Sequence, residues 1–240
     1  MKKFLKFLKY LLITTIIVAI IGAITGVGII TYQGYSLYKE AINEMSISEK
    51  IEEIKEETDV YTEYEKLPKQ YVNAVVAVED RRFFEHNGVD LVSIARAVKK
   101  DIETMSLAEG GSTITQQLAK NTYFTQKKEF TRKIAEIFMA FEFEKECSKE
   151  EIFELYVNTM YFGDGYYCVA NASKGYFDKD VSEMNLYECT LLAGIPNAPS
   201  VYAPTKNPEL ARQRQAQVLN KMVKYNYLTQ EDADKILNEM

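Results

Sequence analysis

The chain has 240 residues, with 29 lysine and arginine residues against 35 aspartate and glutamate residues and a net charge of −6. This length suits one folded domain with a sizeable core. An acidic chain lacks the general basic surface that nucleic-acid binding requires, so we expect no nucleic-acid partner. Three cysteines without metal-site spacing exclude a full disulfide framework and favour buried free thiols; they are Cys147, Cys168 and Cys189.

The N-terminus combines a basic tail with a long apolar run. Four lysines lie within residues 1–9, and an uncharged stretch from Tyr10 to Tyr38 follows them. A helix crosses a bilayer with about 20 apolar residues, so we predict a transmembrane signal anchor at residues 10–32. Because the lysines lie on one side of it, the positive-inside rule predicts a cytoplasmic N-terminus, a single pass and an extracytoplasmic remainder. An A-x-A-like sequence near Ala19 and Ala23 leaves signal-peptide cleavage as the alternative.

Residues 33–66 are predicted to form an acidic stalk or linker. Residues 39–66 contain ten acidic and four basic side chains, which is typical of a solvated helix. Residues 67–240 are the predicted folded domain. Its apolar residues recur at i, i+3, i+4 and i+7, as in the run Ile134, Ile137, Phe138, Phe141 and in the run Ile152, Leu155, Tyr156, Thr159. Alternation with a period of two is scarce, so the pattern predicts a mainly α-helical domain on a membrane anchor.

A carboxylate interrupts the apolar face of the stretch "AVVAVEDRRFFEHNG". Read as one helix, this stretch places Glu79 on the same face as Val76 and Phe83. A carboxylate on such a face loses hydration and becomes a candidate general base, and an ion pair with a neighbouring arginine is the structural alternative. His86 is the only histidine of the chain, and we interpret it as a hydrogen-bonded structural residue.

A candidate anion site begins with the glycine pair of "EGGSTITQQLAKN", residues 109–121. Thr113 and Gln116 have the spacing of a capping box, which predicts a helix start directly after the glycines. Free N–H groups at a helix N-terminus bind anions, and the sequence lacks the ending of a nucleotide P-loop. An ordinary glycine turn is the alternative. Cations concentrate downstream at Lys120, Lys127, Lys128, Arg132 and Lys133.

Two further pairs have helical i, i+4 spacing and therefore share a face. In one pair Glu136 follows Arg132, and in the other Asn158 follows Glu154. Structural ion pairs, capping or helix–helix hydrogen bonds explain these pairs as well as a functional role does. The sequence "DAD" at residues 232–234 resembles a metal-binding Asp-x-Asp, but it lies in a polar terminal helix and is discounted.

Five blocks between about residues 65 and 205 resemble, in order, the motifs of the peptidoglycan glycosyltransferases, glycosyltransferase family 51. They are "EDRRFFEHNG", "GGSTITQQLAKN", "RKIAE", "ELYVNTMYFGDG" and "LLAGIPNAPSVYAP". This family comprises monofunctional transglycosylases and the transglycosylase modules of class A penicillin-binding proteins. Two positions depart from its pattern, because Cys168 and Asp178 stand where the family usually has glycine. These departures put the local backbone geometry in question.

The resemblance implies a lysozyme-like helical fold and an inverting transfer between lipid-linked sugars at the bacterial cell membrane. Its donor is a glycan strand on undecaprenyl pyrophosphate, its acceptor is lipid II, and other cell-wall synthesis proteins are candidate partners. Glu79 would deprotonate the acceptor 4-hydroxyl. Glu136 would assist departure of the pyrophosphate, directly or through a divalent cation such as Mg²⁺ or Mn²⁺, and no organic cofactor is implied. The expected substrate-binding residues are Asp80, Phe83, Ser112, Thr113, Gln116, Gln117, Lys120, Asn121, Arg132, Lys133, Glu154 and Asn158.

Three other interpretations stay open at this point. A membrane-anchored, lysozyme-like glycan hydrolase would also use two carboxylates, although it needs no anion loop backed by cations. A catalytically silent scaffold or binding module is disfavoured because Glu79 and Glu136 are both present. In the third interpretation, the chain is the N-terminal part of a bifunctional penicillin-binding protein.

Overall fold

The computed structural model describes residues 2–104, 111–124 and 130–238. Its helices are α1 (Lys2–Glu44), α2 (Ile47–Glu57), α3 (Lys69–Glu79), α4 (Leu91–Thr104), α5 (Ile114–Tyr123), α6 (Phe130–Glu146), α7 (Lys149–Thr159), α8 (Val169–Phe177), α9 (Leu186–Gly194), α10 (Pro199–Tyr202), α11 (Pro208–Lys224) and α12 (Gln230–Asn238). Short 3₁₀ helices occupy Tyr64–Lys66, Val181–Glu183 and Ile195–Asn197. Within the described ranges, β pairing is confined to one bridge between Tyr161 and Tyr167. The prediction of a mainly α-helical fold is confirmed.

A main hydrophobic core holds most helices of the domain together, and a small second cluster, Leu219, Ala233 and Ile236, packs α12 onto α11. α3 packs against α9 and α11, and α5 packs against α6 and α7. Large side chains such as Tyr71, Phe143 and Phe153 are fully buried between them. The start of α5 has the predicted capping box, in which the Thr113 hydroxyl accepts from the Gln116 N–H and the Gln116 side chain accepts from the Thr113 N–H. This local hydrogen bonding fixes where α5 begins.

The three cysteines are buried free thiols, as predicted. Burial raises the pKa of Cys147 and of Cys189 to about 12, which keeps both thiols protonated at neutral pH. A protonated, buried thiol is a poor nucleophile and a poor metal ligand. These cysteines therefore act as small apolar side chains of the core.

α6 has two apolar faces, and the predicted stripe is not the one that meets the central core. Met139 and Phe143 are fully buried in that core. Ile134 and Phe138 lie instead against α1, and Phe141 is partly exposed. The helix indicated by this stripe is present, and it is packed on two sides, which the spacing of one apolar stripe does not reveal.

α3 ends earlier than the sequence pattern predicted. Glu79 is its last residue, and Asp80 leaves the helix with φ −153° and ψ 79°. Phe83 is completely buried, but it reaches the core from a turn and not from a continuing helix face. The early end places Glu79 at a helix terminus, where its carboxylate faces a cleft.

The expectation of a solvated stalk over residues 33–66 is wrong. Tyr38, Ile47 and Ile54 belong to the hydrophobic core, and Thr62 is also buried. α2 is amphipathic: its isoleucines point inward, and its many acidic side chains cover the outer face. The acidic composition therefore marks one exposed face of a packed helix, and the folded domain begins near residue 34 instead of at residue 67.

α1 continues without a break from an apolar segment into the domain. Residues Lys3–Glu44 form a helix long and apolar enough to cross a membrane. Its C-terminal part packs along α6 at Gly34, where an added Cβ would lie 2.5 Å from the Ile134 Cβ and 2.8 Å from the Thr131 carbonyl oxygen. One helical turn later Tyr38 stacks on Phe138, with ring centroids 5.6 Å apart. The close approach of the two helices therefore requires glycine at position 34.

Both positions that depart from the family's glycine pattern have positive φ. Asp178 ends α8 in the left-handed region, at φ 55° and ψ 34°, which aspartate tolerates. Cys168 precedes α8 with φ 62° and ψ 155°, a region that is almost exclusive to glycine. Cys168 is therefore a strained residue held in place by the packing around it.

We expect Gly34→Ala to destabilise the domain by about 1–3 kcal/mol, because the added methyl group overlaps α6. Gly28→Ala is the matched control, since its Cβ meets no atom within 4 Å in the described structure. The midpoint of thermal unfolding, recorded on the detergent-solubilised full chain, measures the stability of both variants. Equal midpoints for the two variants would contradict the close α1–α6 contact.

At position 168 glycine should be more stable than alanine by about 1–3 kcal/mol, because any Cβ is strained at this backbone conformation. The variants Cys168→Gly and Cys168→Ala are compared by denaturant unfolding. The same pair of substitutions at Cys189, which lies inside α9, should show the opposite order, since alanine is favoured within a helix. A common order at both positions would argue against strain at Cys168.

Candidate active site

A cleft of about 840 Å³ opens between the end of α3, the start of α5 and one face of α11. Glu79 and Asp80 contribute from the end of α3, and Gln117 and Lys120 contribute from α5. Cationic side chains dominate the rest of its charged lining; they are Arg81, Arg96, Arg214, Lys221 and Lys224. A cleft with such a lining suits an anionic ligand.

Glu79 is held between α5 and α11. Its Oε2 accepts a hydrogen bond from Gln117 Nε2 at 3.0 Å, and its Oε1 lies 3.4 Å from Arg214 Nη2. Arg214 Nε also donates to the Gly194 carbonyl oxygen at 3.3 Å. The ion pair of Glu79 is therefore made with α11 and not with a neighbouring arginine. A carboxylate oriented by two donors in a cleft has the geometry of a general base.

Asp80 joins the end of α3 to the start of α5. Its two carboxylate oxygens lie 2.9 and 3.0 Å from His86 Nε2, and Oδ2 accepts from the Ile114 N–H at 3.1 Å. Both side chains are buried, so the structural interpretation of His86 is confirmed. Thr113 adds a second link, because its hydroxyl donates to the Gly88 carbonyl oxygen at 2.6 Å. These contacts join the end of α3, which bears Glu79, to the start of α5, which bears Gln117.

Glu136 is a buried carboxylate near the start of α6, and it is the centre of a group of charged side chains. Its two oxygens lie 2.9 Å from Arg132 Nε and 2.9 Å from Lys133 Nζ. Lys133 also donates to Ser112 Oγ at 2.7 Å, and Ser112 lines the cleft. Ser112 and Lys133, two of the expected substrate-binding residues, are therefore in contact in the structure.

Lys120 connects this charge group to the cleft electrostatically. Burial lowers the pKa of Lys120, and the positive charges of Arg132 and Lys133 lower it further. The carboxylates of Glu136 and Glu79 oppose that lowering. A partly desolvated ammonium next to other cations gains most from an incoming anion, which makes Lys120 a strong candidate for phosphate binding.

Glu154 and Asn158 lie in another part of the fold. Glu154 accepts hydrogen bonds from the Tyr61 hydroxyl at 2.7 Å and from the Tyr64 N–H at 2.8 Å. Asn158 accepts from the Thr62 N–H at 2.9 Å and donates to the Thr62 carbonyl oxygen at 2.8 Å. Both residues fasten the segment before α3 onto α7, and in the part of the chain that the structure describes they are not part of the cleft lining.

Three more residues expected to bind substrate make structural contacts. Phe83 is in the core, Gln116 caps α5, and the Asn121 side chain donates to Met160 Sδ. Among the described residues, none of the three lines the cleft. Lys127 and Lys128, two of the cations noted downstream of the glycine pair, lie outside the described residues.

The cationic face of α11 was missed in the sequence. Arg214, Gln217, Lys221 and Lys224 follow one another at i, i+3, i+7 and i+10, and all four line the cleft. This helical spacing was visible in the sequence and would have predicted a polar face on α11. Its contact with Glu79 was not visible, because that contact joins residues 135 positions apart.

The side chains around Glu136 do not fit a resident divalent cation. Both of its oxygens are paired with cationic side chains, which repel Mg²⁺ or Mn²⁺ from the same position. Among the described residues there is no group of three or more His, Cys, Asp or Glu side chains suited to a metal ion. A metal ion bound to Glu136 would have to displace the side chains of Arg132 and Lys133 from its carboxylate.

Comparisons with known proteins match most of this chain. A family model described as Transglycosylase matches residues 46–223. Penicillin-binding protein 1A of Neisseria lactamica is 45% identical over 179 residues, which cover 75% of this chain and 22% of that protein. Penicillin-binding protein 1F of Bacillus subtilis (strain 168) is 38% identical over 231 residues, covering 93% and 32% of the two chains.

The chain thus spans between about a fifth and a third of the length of these curated relatives. The crystal structure of penicillin-binding protein 1A from Haemophilus influenzae aligns with a TM-score of 0.46 and 22% identity, over 75% of this chain and 17% of that one. The family match covers the cleft residues described above except Lys224, which lies one residue beyond its end. The chain therefore belongs to the transglycosylase family, the peptidoglycan glycosyltransferase class that its motifs resemble.

Proposed function

We propose that this chain polymerises lipid II into β-1,4-linked glycan strands by inverting glycosyl transfer. The donor is a strand on undecaprenyl pyrophosphate, and the acceptor is the 4-hydroxyl of lipid II. The observation that carries this proposal is the position of Glu79, which lines a cation-rich cleft and is oriented by Gln117 and Arg214. A base beside a binding site for anions is what transfer from a pyrophosphate-linked sugar requires.

Glu79 is the base of the proposed reaction. Its carboxylate accepts the proton of the acceptor 4-hydroxyl while that oxygen attacks the anomeric carbon of the donor from the face opposite the leaving group. The bond between the anomeric carbon and the pyrophosphate oxygen breaks with its electron pair, so undecaprenyl pyrophosphate leaves as an anion. Gln117 and Arg214 hold the carboxylate in place for this step.

Cations stabilise the leaving pyrophosphate in this proposal. Lys120 is partly desolvated and lines the cleft, and Ser112 connects the cleft to Lys133. Charge on the leaving oxygen grows in the transition state, so preorganised cations at that position lower the barrier. Glu136 assists departure by orienting Arg132 and Lys133, which it pairs at 2.9 Å each.

The proposal also places the protein in the bacterial cell membrane, with one span and the cleft outside. The length and apolar composition of α1 support the span, and the lysines of residues 1–9 support a cytoplasmic N-terminus. The lipid substrates are then reached at the outer face of the membrane. Other cell-wall synthesis proteins are candidate partners of the protein.

Replacing the base tests the reaction directly. Glu79→Gln keeps the size of the side chain but cannot accept the proton, so the polymerisation rate should fall by at least about 100-fold. Glu209→Gln, an exposed residue in the first turn of α11, is the matched control and should keep wild-type activity. Gel analysis of labelled lipid II products measures both variants.

Near-normal strand synthesis by Glu79→Gln would refute the assignment of the base. Release of short glycan fragments by water, without growth of polymer from lipid II, would favour the hydrolase interpretation instead. Circular dichroism on each variant shows whether the helical fold is retained, so that a loss of rate can be assigned to chemistry.

Moenomycin, the phosphoglycolipid inhibitor of the family, imitates the donor and separates binding from chemistry. Lys120→Ala and Arg132→Ala should each weaken moenomycin binding by about 1.5–3 kcal/mol, because each removes a charged hydrogen bond. Glu79→Gln should keep most of the affinity, since its role begins only when the hydroxyl is attacked. Lys235→Ala, an exposed cation of α12, controls for the loss of charge. Wild-type affinity in both cation variants would require a different pyrophosphate site.

A further inference from the structure

We propose that α1 is a rigid spacer that sets the height of the active site above the membrane, with Gly34 and Tyr38 as positioning residues. The proposal rests on the proposed function, because height matters only when the substrate is carried by the membrane. It follows from where the apolar segment ends, how α1 meets α6, and which side chains the start of α6 carries.

The apolar segment of α1 ends close to Tyr32. Ile29 lies just before it and is exposed on a lone helix, as a lipid-facing residue would be. Tyr32 and Tyr35 are also exposed, and tyrosine concentrates at the level of the lipid headgroups. The next charged residue is Lys39, on the water side. The membrane–water interface is thereby placed at about Tyr32–Tyr35.

α1 and α6 run parallel from this level outward. Gly34 meets Thr131 and Ile134, and four residues later Tyr38 stacks on Phe138. Because the contacting residue advances by four on each helix, the two helices run in the same direction and rise by the same distance. The Tyr38 hydroxyl also donates to Glu142 Oε1 at 2.6 Å, so the contact continues along α6.

The start of α6 therefore lies at the headgroup level. Arg132 and Lys133 fall between the two residues that Gly34 touches, and Gly34 is about 3 Å along the helix axis from Tyr32. A pyrophosphate linked to a membrane lipid lies at this same depth. The cations that α6 contributes thus match the substrate's charged group in height as well as in charge.

The connection between membrane and site is stiff. α1 is one helix of 43 residues, and its sequence contains no proline between the apolar segment and Gly34. The absence of space for a Cβ at Gly34 prevents the helices from sliding past each other without repacking. A flexible tether would let the domain tilt and find the lipid at many heights, whereas this arrangement presents α6 at one height.

The test lengthens the spacer in the full chain. Seven helix-forming polar residues inserted between Tyr32 and Gln33 lift the domain by about 10 Å and rotate it by only about 20°. A seven-residue Gly/Ser insert at the same place is the matched control, because it adds length without stiffness. Each protein is assayed on long-chain lipid II in vesicles and on a water-soluble, short-chain lipid II in solution.

We expect the helical insert to lower polymerisation in vesicles by at least about ten-fold while leaving the rate on the soluble substrate unchanged. The Gly/Ser insert should lose less in vesicles, because its domain can return to the headgroup level. Wild-type rates in vesicles for the helical insert would overturn the proposal, and so would an equal loss on both substrates, which would indicate damage to the site. If the wild-type chain polymerises neither substrate, the proposed function itself fails, and the proposal falls with it.

Discussion

The geometry of the site depends on the hydrogen bonds of one buried carboxylate, that of Asp80. Burying a carboxylate is costly unless hydrogen bonds replace its hydration, and here His86 and the Ile114 N–H replace it. Because these two partners come from different segments, satisfying one charge fixes the end of α3 against the start of α5. Glu79 precedes Asp80 and Gln117 follows Ile114 by one turn, so their hydrogen bond is a consequence of this junction.

Charge is segregated across the molecule in a way that the net charge conceals. The acidic side chains of α2 cover an outer face, while the cleft collects cations from α5 and α11. Glu136 joins two further cations to this region and neutralises part of their mutual repulsion. An acidic protein can therefore present a cationic site, because electrostatic interactions over a few ångströms outweigh the distant charges that solvent screens.

α6 connects the parts of the molecule, since it packs on the core through one face and on α1 through another. Met139 and Phe143 belong to the first contact, and Phe138 belongs to the second. The first turn of the same helix carries Arg132 and Lys133. α6 thus contributes to the core, to the contact with α1 and to the charge of the site. Because two of its faces are packed, the spacing of its apolar residues does not indicate a single buried face.

The sequence by itself determined what depends on neighbouring residues: the helical periodicity, the capping box at Thr113, the apolar segment of α1 and the motifs that carry the family resemblance. The tertiary structure alone decided which side chains meet across long separations. It paired Glu79 with Arg214, gave Glu154 to the segment at Tyr61, and buried part of the acidic region expected to be a stalk. Such contacts depend on the packing of whole helices, and local spacing contains no information on the distance between residues far apart in the chain.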